Sequence, residues 1–146
     1  MTHPSSSTAA TSVAHDVVAH VAVTGEPPVT LPAALRYDAS HPYAVCLSIG
    51  TTSPRPVEWV FARGLLAEGM CRPAGLGDVL VRPRRSRCRD WARIVVRSAA
   101  GAAVLDVAAE AVTAFLEQAA AVVPPGTEGA HLDLDRVVAE LLGRGA

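Results

Sequence analysis

The stretch that decides the fold is WARIVVRSAAGAAVLDVAAEAVTAFLEQAAAVV, residues 91–123. From Trp91 to Arg97 the side chains alternate between an apolar and a mixed face, which predicts a strand, and a turn at Ser98–Gly101 leads into a second strand at Ala102–Val107. From Ala108 to Val123 the apolar residues recur every three or four positions, so this part predicts an amphipathic helix. A hairpin followed directly by such a helix is typical of an α+β domain.

The alternating pattern recurs in the sequence ahead of this stretch. Five further short strands are predicted at Val17–Val23, Ala33–Asp38, Tyr43–Ile49, Val57–Phe61 and Val79–Arg82. A short helix is predicted at Ala62–Gly69, and a final helix at Leu134–Leu142, with Asp133 as its N-cap. The expected fold class is therefore α+β, with about seven antiparallel strands covered by C-terminal helices.

Length and composition fit one folded domain. The chain has 146 residues, half of them hydrophobic, which suffices for a single core but not for two ordinary domains. Residues 1–12, MTHPSSSTAATS, are expected to form a disordered tail, and residues 13–146 the domain. The tail lacks the basic and apolar regions of a secretory signal, and the three cysteines include no C-x-x-C pair. A cytoplasmic location is therefore expected.

An arginine-rich stretch is the sharpest electrostatic feature. The chain contains no lysine, and seven of its 13 basic residues lie between positions 82 and 97, where the one acid is Asp90. The seven residues are Arg82, Arg84, Arg85, Arg87, Arg89, Arg93 and Arg97. Three interpretations stay open: a single-stranded nucleic-acid surface that uses the adjacent Trp91, a site for an acidic protein partner, or a solvated loop.

No catalytic, cofactor or metal site is predicted. The G-x-S-x-G string of a serine nucleophile elbow is missing, and no lysine or helix follows Gly75-Leu76-Gly77, which favours a tight turn there. His131, Asp133 and Asp135 have a spacing that suits metal ligands, but at a helix entry capping explains them better. Cys88 lies among arginines, which favour a reactive thiol, although an unreactive loop cysteine is the preferred interpretation.

Four blocks of sequence carry a family resemblance. They are LRYDASHPYAV (Leu35–Val45), VEWVFARGLLAEG (Val57–Gly69), RPAGLGDVLVRP (Arg72–Pro83) and VPPGTEGAHLDLD (Val123–Asp135). Together they resemble the SsgA-like proteins, an actinomycete family that controls sporulation-specific cell division. The resemblance spans about three-quarters of the chain, from about Leu35 to Leu142, and the second block is unusual enough to be specific.

The resemblance implies a protein without catalytic residues or a cofactor. Family members act in septum-site placement and septal wall remodelling, and one member looks like the factor that positions the tubulin-like protein FtsZ at future septa. The resemblance also implies a homo-oligomer, a trimer of α+β subunits similar to the plant whirly proteins, that is recruited from the cytoplasm to the septum without membrane insertion. Expected partners are division-machinery or cell-wall-synthesis proteins such as FtsZ or a paralogue.

Three departures from the family pattern leave the paralogue and the step of division open. Gly64 stands where an acidic residue is usual, the run from Arg84 to Arg89 is more basic, and the N-terminal tail is longer. In the second block, Arg63 and Glu68 are expected to be exposed, either as a protein-contact surface or as solvated helix residues. The predicted function is a non-enzymatic adaptor of sporulation-specific division, and the rival is a single-stranded nucleic-acid binder that uses Arg82–Arg97.

Overall fold

The computed structural model describes residues 11–132 and 141–142, and in this part the chain forms one seven-stranded sheet with two α-helices. The strands are β1 Ser12–Val23, β2 Val29–Asp38, β3 Ala44–Ile49, β4 Val57–Ala62, β5 Val79–Arg85, β6 Asp90–Ser98 and β7 Gly101–Ala108. The helices are α1 Arg63–Gly69 and α2 Ala109–Val122, and a 3-10 turn spans Glu128–His131. The α+β class and the seven antiparallel strands are confirmed.

The sheet consists of two meanders joined at its centre. The strand order is β4-β3-β2-β1-β7-β6-β5, and every neighbouring pair is antiparallel. Strands that are neighbours in sequence pair within each meander, β1 to β4 and β5 to β7. The join is the pairing of β1 with β7, which sets His20 opposite Asp106 and Val23 opposite Ala103. One continuous sheet results, with β4 and β5 at its edges.

The core lies between one face of the sheet and α2. Alternation along the strands directs apolar side chains to this face, and the buried stripe of α2 packs against them. Burying one large aliphatic or aromatic side chain contributes about 1.5–3 kcal/mol, so this layer accounts for much of the stability. Its fully buried members include Leu35, Leu47, Ile94 and Leu105 on the sheet and Val112, Phe115 and Ala119 on the helix.

The opposite side of the sheet, here called the open face, remains accessible. Val18 on β1 and Val60 on β4 belong to it, and their side chains are 53% and 68% exposed. The strand register places His20, Arg93 and Asp106 side by side on the same face. The open face therefore presents both apolar and charged groups to its surroundings.

Three strands are at least three residues longer than the sequence pattern predicts, and one of them, β2, begins at Val29 where Ala33 was expected. β1 begins already at Ser12, because it pairs with β2 along most of its length. β5 continues through Pro83 to Arg85, although proline lacks an amide N–H. In β5 the Val81 N–H faces away from β6 and bonds to Ala74, and Pro83 occupies the same kind of outward position. A proline at that place of an edge strand removes no bond from the sheet.

Two predicted segments fall on residues that the structure does not describe. One is the N-terminal tail as far as residue 10. The other is the final helix at Leu134–Leu142, of which Leu141 and Leu142 alone are described and are helical. Asp133 and Asp135, the acidic members of the candidate metal cluster, also lie outside the described residues.

Candidate functional site

The arginine-rich stretch forms the hairpin of β5 and β6 at one edge of the sheet. Its turn is held by two hydrogen bonds to the Arg89 carbonyl: the Ser86 N–H donates over 3.1 Å and the Ser86 hydroxyl over 2.6 Å. The register continues below the turn, where Arg85 lies opposite Asp90 and Arg84 opposite Trp91. The stretch is therefore a structured hairpin and not a flexible loop.

Strand geometry divides the seven arginines into separate groups. Arg82, Arg84 and Arg93 lie on the open face, since they alternate with the buried Val81 and Ile94. Two more, Arg87 and Arg89, belong to the exposed connection between the strands. Arg97 is on the open face too, since it follows the buried Val96, but it lies near the far end of β6, opposite Ala102. The sequence run thus does not form one continuous basic surface.

An aspartate on β7 neutralises the middle of the run. Arg93 makes a bidentate pair with Asp106, with Nε–Oδ1 and Nη2–Oδ2 distances of 2.9 Å each. Hydrogen bonding to this carboxylate raises the pKa of Arg93, so its positive charge is held firmly. Arg84 approaches the same carboxylate, with its Nη1 3.7 Å from Oδ2. Sequence reasoning missed Asp106 because it reaches the arginines through strand pairing.

Four arginines of the run remain without an ion pair to another described residue. They are Arg82, Arg87, Arg89 and Arg97, all exposed. Arg85 does lie near Asp90, but the Nη1–Oδ2 distance is 4.0 Å and the two side chains are 82% and 58% exposed. A pair with that geometry contributes little in water.

Trp91 is already engaged by its neighbours. Its ring makes an edge-to-face contact with His20, with centroids 5.0 Å apart and an angle of 82° between the planes. The Arg89 guanidinium carbon lies 5.5 Å from the Trp91 centroid, a cation–π arrangement. The ring is also half-buried on the open face. This placement disfavours the stacking of a nucleic-acid base on Trp91.

The prediction that Arg63 is exposed is wrong, since the residue is only 4% exposed. Its Nη1 donates to the Val123 carbonyl over 2.6 Å, at the end of α2, and its Nη2 pairs with Glu128 over 2.6 Å. Its guanidinium carbon lies 4.9 Å from the centre of the Tyr37 ring. Arg63 is drawn inward because these groups, remote in sequence, satisfy its charge and its donors. Arg63 therefore has a structural role and is not part of an exposed contact surface.

Arg63 connects three of the four sequence blocks that carry the family resemblance. Its backbone N–H donates to the Tyr43 carbonyl over 2.7 Å, and the buried Tyr37 hydroxyl donates to the Pro42 carbonyl over 2.8 Å, which fixes the β2–β3 turn. The hydrogen bond from Arg63 lowers the pKa of Glu128, and burial raises the pKa of Tyr37. The blocks therefore share one buried network.

The remaining candidates lie where a structural role explains them. Gly75 has a φ of +113°, and a β-carbon there would overlap the Val79 carbonyl oxygen, so a tight turn is what requires glycine. Cys88 is an exposed free cysteine of the β5–β6 connection. Glu68 is exposed on α1, and its role as a contact residue stays a prediction. Among residues 11–132 and 141–142, His, Cys, Asp and Glu side chains form no cluster suited to a metal ion.

A groove on the β1–β4 meander is a feature that sequence reasoning missed. It has a volume of about 590 Å³ and is lined mainly by apolar surface, with Ala14, Ala44, Cys46 and Val60 among its lining residues and Arg36 between Ala14 and Cys46 in the strand register. The groove forms because several of the side chains on this part of the sheet are small. The register of the strands brings these residues together. Ala44 and Cys46, at alternate positions of the predicted strand Tyr43–Ile49, were the available signal.

The chain was compared with known families and proteins. Residues 31–128 match the family profile described as "Streptomyces sporulation and cell division protein, SsgA". The chain is 44% identical over 132 residues to the sporulation-specific cell division protein SsgB of Streptomyces coelicolor, covering 90% of this chain and 96% of that protein. It is 42% identical over 134 residues to the SsgB of Kineococcus radiotolerans, covering 90% and 81%.

Two solved structures share the fold. One, described under the words "Mutations in SsgB correlate to longitudinal cell division during sporulation of Streptomyces coelicolor", superposes with a TM-score of 0.77 at 45% identity and covers 83% of this chain and 95% of its own. The other is the SsgA-like sporulation-specific cell division protein from Thermobifida fusca, with a TM-score of 0.79 at 33% identity and coverage of 89% and 95%. The likeness thus extends through the sheet and the helices.

The length and hydropathy of the helices bear on whether they could span a membrane. Within the part of the chain that the structure describes, none is long and apolar enough to cross a bilayer.

Proposed function

The chain belongs to the SsgA family of sporulation and cell division proteins, and from this premise we propose that it is a non-enzymatic adaptor of sporulation-specific cell division. The observation that carries the proposal is the similarity to SsgB proteins over 90% of the chain, since their names place them in this process. The adaptor acts in septum-site placement or in septal wall remodelling, through contacts with other proteins.

The shape of the domain supports a function based on contacts. The open face offers exposed apolar side chains such as Val18 and Val60, and the groove beside Val60 adds a concave apolar surface. Exposed apolar area of this kind favours association with another protein. The partners are division-machinery or cell-wall-synthesis proteins such as FtsZ or a paralogue, and the protein itself is a homo-oligomer, a trimer by family resemblance, at the septum.

Genetic removal tests the cellular role. Deleting the gene in its host should reduce or misplace sporulation septa, and the wild-type gene supplied in trans should restore them. Septa are counted by microscopy with a cell-wall stain. Normal septa and normal spore walls in a strain that also lacks the paralogues would contradict the proposed role.

Co-purification tests the adaptor mechanism. A tagged copy that complements the deletion is recovered from sporulating cells, and the bound proteins are identified by mass. Recovery of FtsZ indicates septum placement, whereas recovery of wall-synthesis proteins indicates wall remodelling. If neither class is enriched over a tagged unrelated protein, the adaptor proposal fails even though the cellular role stands.

The rival function, binding of single-stranded nucleic acid, has less support from the geometry of the hairpin. Arg93 is committed to Asp106, and the Trp91 ring is engaged by His20 and Arg89. Affinity for single strands depends on both phosphate contacts and base stacking, and here the stacking platform is occupied. The arginines that remain unpaired require a different explanation.

A further inference from the structure

Apart from Arg97 at its far end, the β5–β6 hairpin carries three exposed arginines without an ion pair to another described residue. They are Arg82 on the open face of β5 and Arg87 and Arg89 in the connection, from which Arg89 reaches over Trp91 on the same face, and together they are called the basic tip. Arg82 lies directly opposite Arg93 in the register, and like charges at such a position are unfavourable. Asp106 pairs with Arg93 and so reduces this repulsion. The charges of the basic tip itself have no described acidic partner.

The turn of the hairpin and the Arg89 side chain are held in place by contacts within the hairpin. Ser86 fixes the turn through two hydrogen bonds to the Arg89 carbonyl, and Arg89 rests on the Trp91 ring. Side chains that are held in place lose less conformational entropy when they bind a partner. This advantage applies to Arg89, the member of the basic tip that is held in place, and it favours binding of a partner there.

The free edge of β5 is closed to strand addition. The outward N–H and carbonyl of Val81 are already bonded to Ala74, over 2.9 and 2.8 Å, and Pro83 has no N–H at the next outward position. Strand addition requires a row of free backbone donors and acceptors. A partner at this edge must therefore be recognised by the arginine side chains.

The guanidinium groups of the basic tip indicate the chemical class of the partner. Guanidinium groups bind carboxylates through paired, charge-assisted hydrogen bonds. Phosphates would also be bound, but at the basic tip the nearest aromatic ring, Trp91, is engaged by His20 and Arg89 and offers no stacking platform. An acidic protein segment satisfies the uncompensated charge without needing such a ring.

We propose that the basic tip, formed by Arg82, Arg87 and Arg89, is a docking site for an acidic segment of a protein partner. The inference rests on the proposed function, since an adaptor needs a surface that selects its partner. It adds to that function the location of the contact and the chemical class of the segment bound.

Fluorescence anisotropy tests the docking site in vitro. The probes are a labelled peptide rich in glutamate and an oligothymidylate of equal net charge, each titrated with the full chain at low and moderate salt. The variant R82A/R87A/R89A should bind the peptide about tenfold more weakly than wild type, since three charged contacts are lost. The control R55A/R72A/R97A removes three exposed arginines elsewhere, so its net charge is the same, and it should bind like wild type.

Each other outcome of the titration overturns the inference. Equal weakening in both variants would show that the peptide responds to net charge alone. Tighter binding of the oligothymidylate than of the peptide, lost in the tip variant, would assign the site to nucleic acid. Absence of peptide binding to wild type at low salt would remove the site altogether.

A complementation assay separates this inference from the proposed function. The wild-type gene and the two triple variants are each expressed in the deletion strain, at protein levels checked by immunoblot. Septation restored by wild type and by the control but not by R82A/R87A/R89A supports the docking site. Full restoration by the tip variant would reject the docking site and leave the division role intact, whereas normal septation before complementation, in a strain that also lacks the paralogues, would reject the role itself.

Discussion

At the scale of single residues, loss of the Arg63 side chain should lower the stability substantially although the residue is charged. It is almost fully buried and donates to the Val123 carbonyl while it pairs with Glu128. In Arg63→Ala these acceptors lose their donor inside the fold, so we expect the free energy of unfolding to fall by about 3 kcal/mol. Urea unfolding followed by circular dichroism measures the change.

Two further substitutions make the Arg63 measurement specific. Arg72→Ala removes an exposed arginine and should change the free energy of unfolding by no more than about 0.5 kcal/mol. Arg63→Lys keeps the charge but lacks the planar fork that reaches Val123 and Glu128 together, so its loss should be intermediate. Equal effects of Arg63→Ala and Arg72→Ala would contradict a buried network.

Because Glu128 can be protonated, the stability that this network contributes depends on pH. The hydrogen bond from Arg63 lowers the pKa of Glu128 below its ordinary value of 4.5. The unfolded chain therefore takes up the proton first as the pH falls, so the stabilisation is complete above pH 4.5 and is lost as the pH falls through the folded pKa. The melting temperatures of wild type and Glu128→Gln should differ at neutral pH and converge in acid.

A second glutamine variant controls for general acid effects on the fold. Glu117 is exposed on α2 and forms no ion pair with another described residue. The melting temperatures of wild type and Glu117→Gln should not converge in acid as those of wild type and Glu128→Gln do. A constant difference between wild type and Glu128→Gln across the acid range would contradict the role of the Arg63 pair.

At the scale of elements, α1 contains two glycines that should respond oppositely to alanine. Gly69 packs directly against Val81 of β5, where a methyl group would overlap the valine side chain and backbone. Gly64 has open space around it in the first turn of the same helix. We expect Gly69→Ala to lower the free energy of unfolding by about 1–3 kcal/mol and Gly64→Ala to raise it by about 0.5 kcal/mol. Chemical unfolding of both variants measures the pair.

The two glycine variants control for each other, because they make the same chemical change in one seven-residue helix. Stabilisation by both would mean that α1 can move away from β5 without cost. Destabilisation by both would mean that Gly64 has a backbone or packing role that its surroundings do not reveal. Opposite signs would support close packing of the end of α1 on β5.

The elements themselves were largely predictable from the sequence, because the signals that define them are local. Alternation located each strand, and a repeat of three to four residues located α2 within one residue at either end. The burial of Arg63 was not predictable in this way, since its partner Glu128 lies in another block. Nor was the pairing of Arg93 with Asp106, which arises from the register of β6 against β7. The candidate site thus depends on contacts that no local pattern encodes.

At the scale of the whole molecule, the order of the elements explains why the described helices cover one face of the sheet and leave the other accessible. The two meanders make a sheet of seven strands, and α2 follows β7 directly and crosses back over the core face toward β1 and β6. An antiparallel sheet tolerates one accessible face when that face is polar. Here the open face retains exposed valines and an apolar groove, which favours association with another copy or with a partner.

Self-association through the open face is therefore the last prediction. The double variant V18D/V60D places two charges on that face, and burying an unpaired carboxylate in an interface is strongly unfavourable, so we expect a smaller assembly than for wild type. Light scattering coupled to size exclusion measures the mass, and circular dichroism verifies the fold. Leu76→Asp, at a fully exposed leucine in a turn, should leave the mass unchanged. An unchanged mass for V18D/V60D would place the interface between copies elsewhere on the molecule.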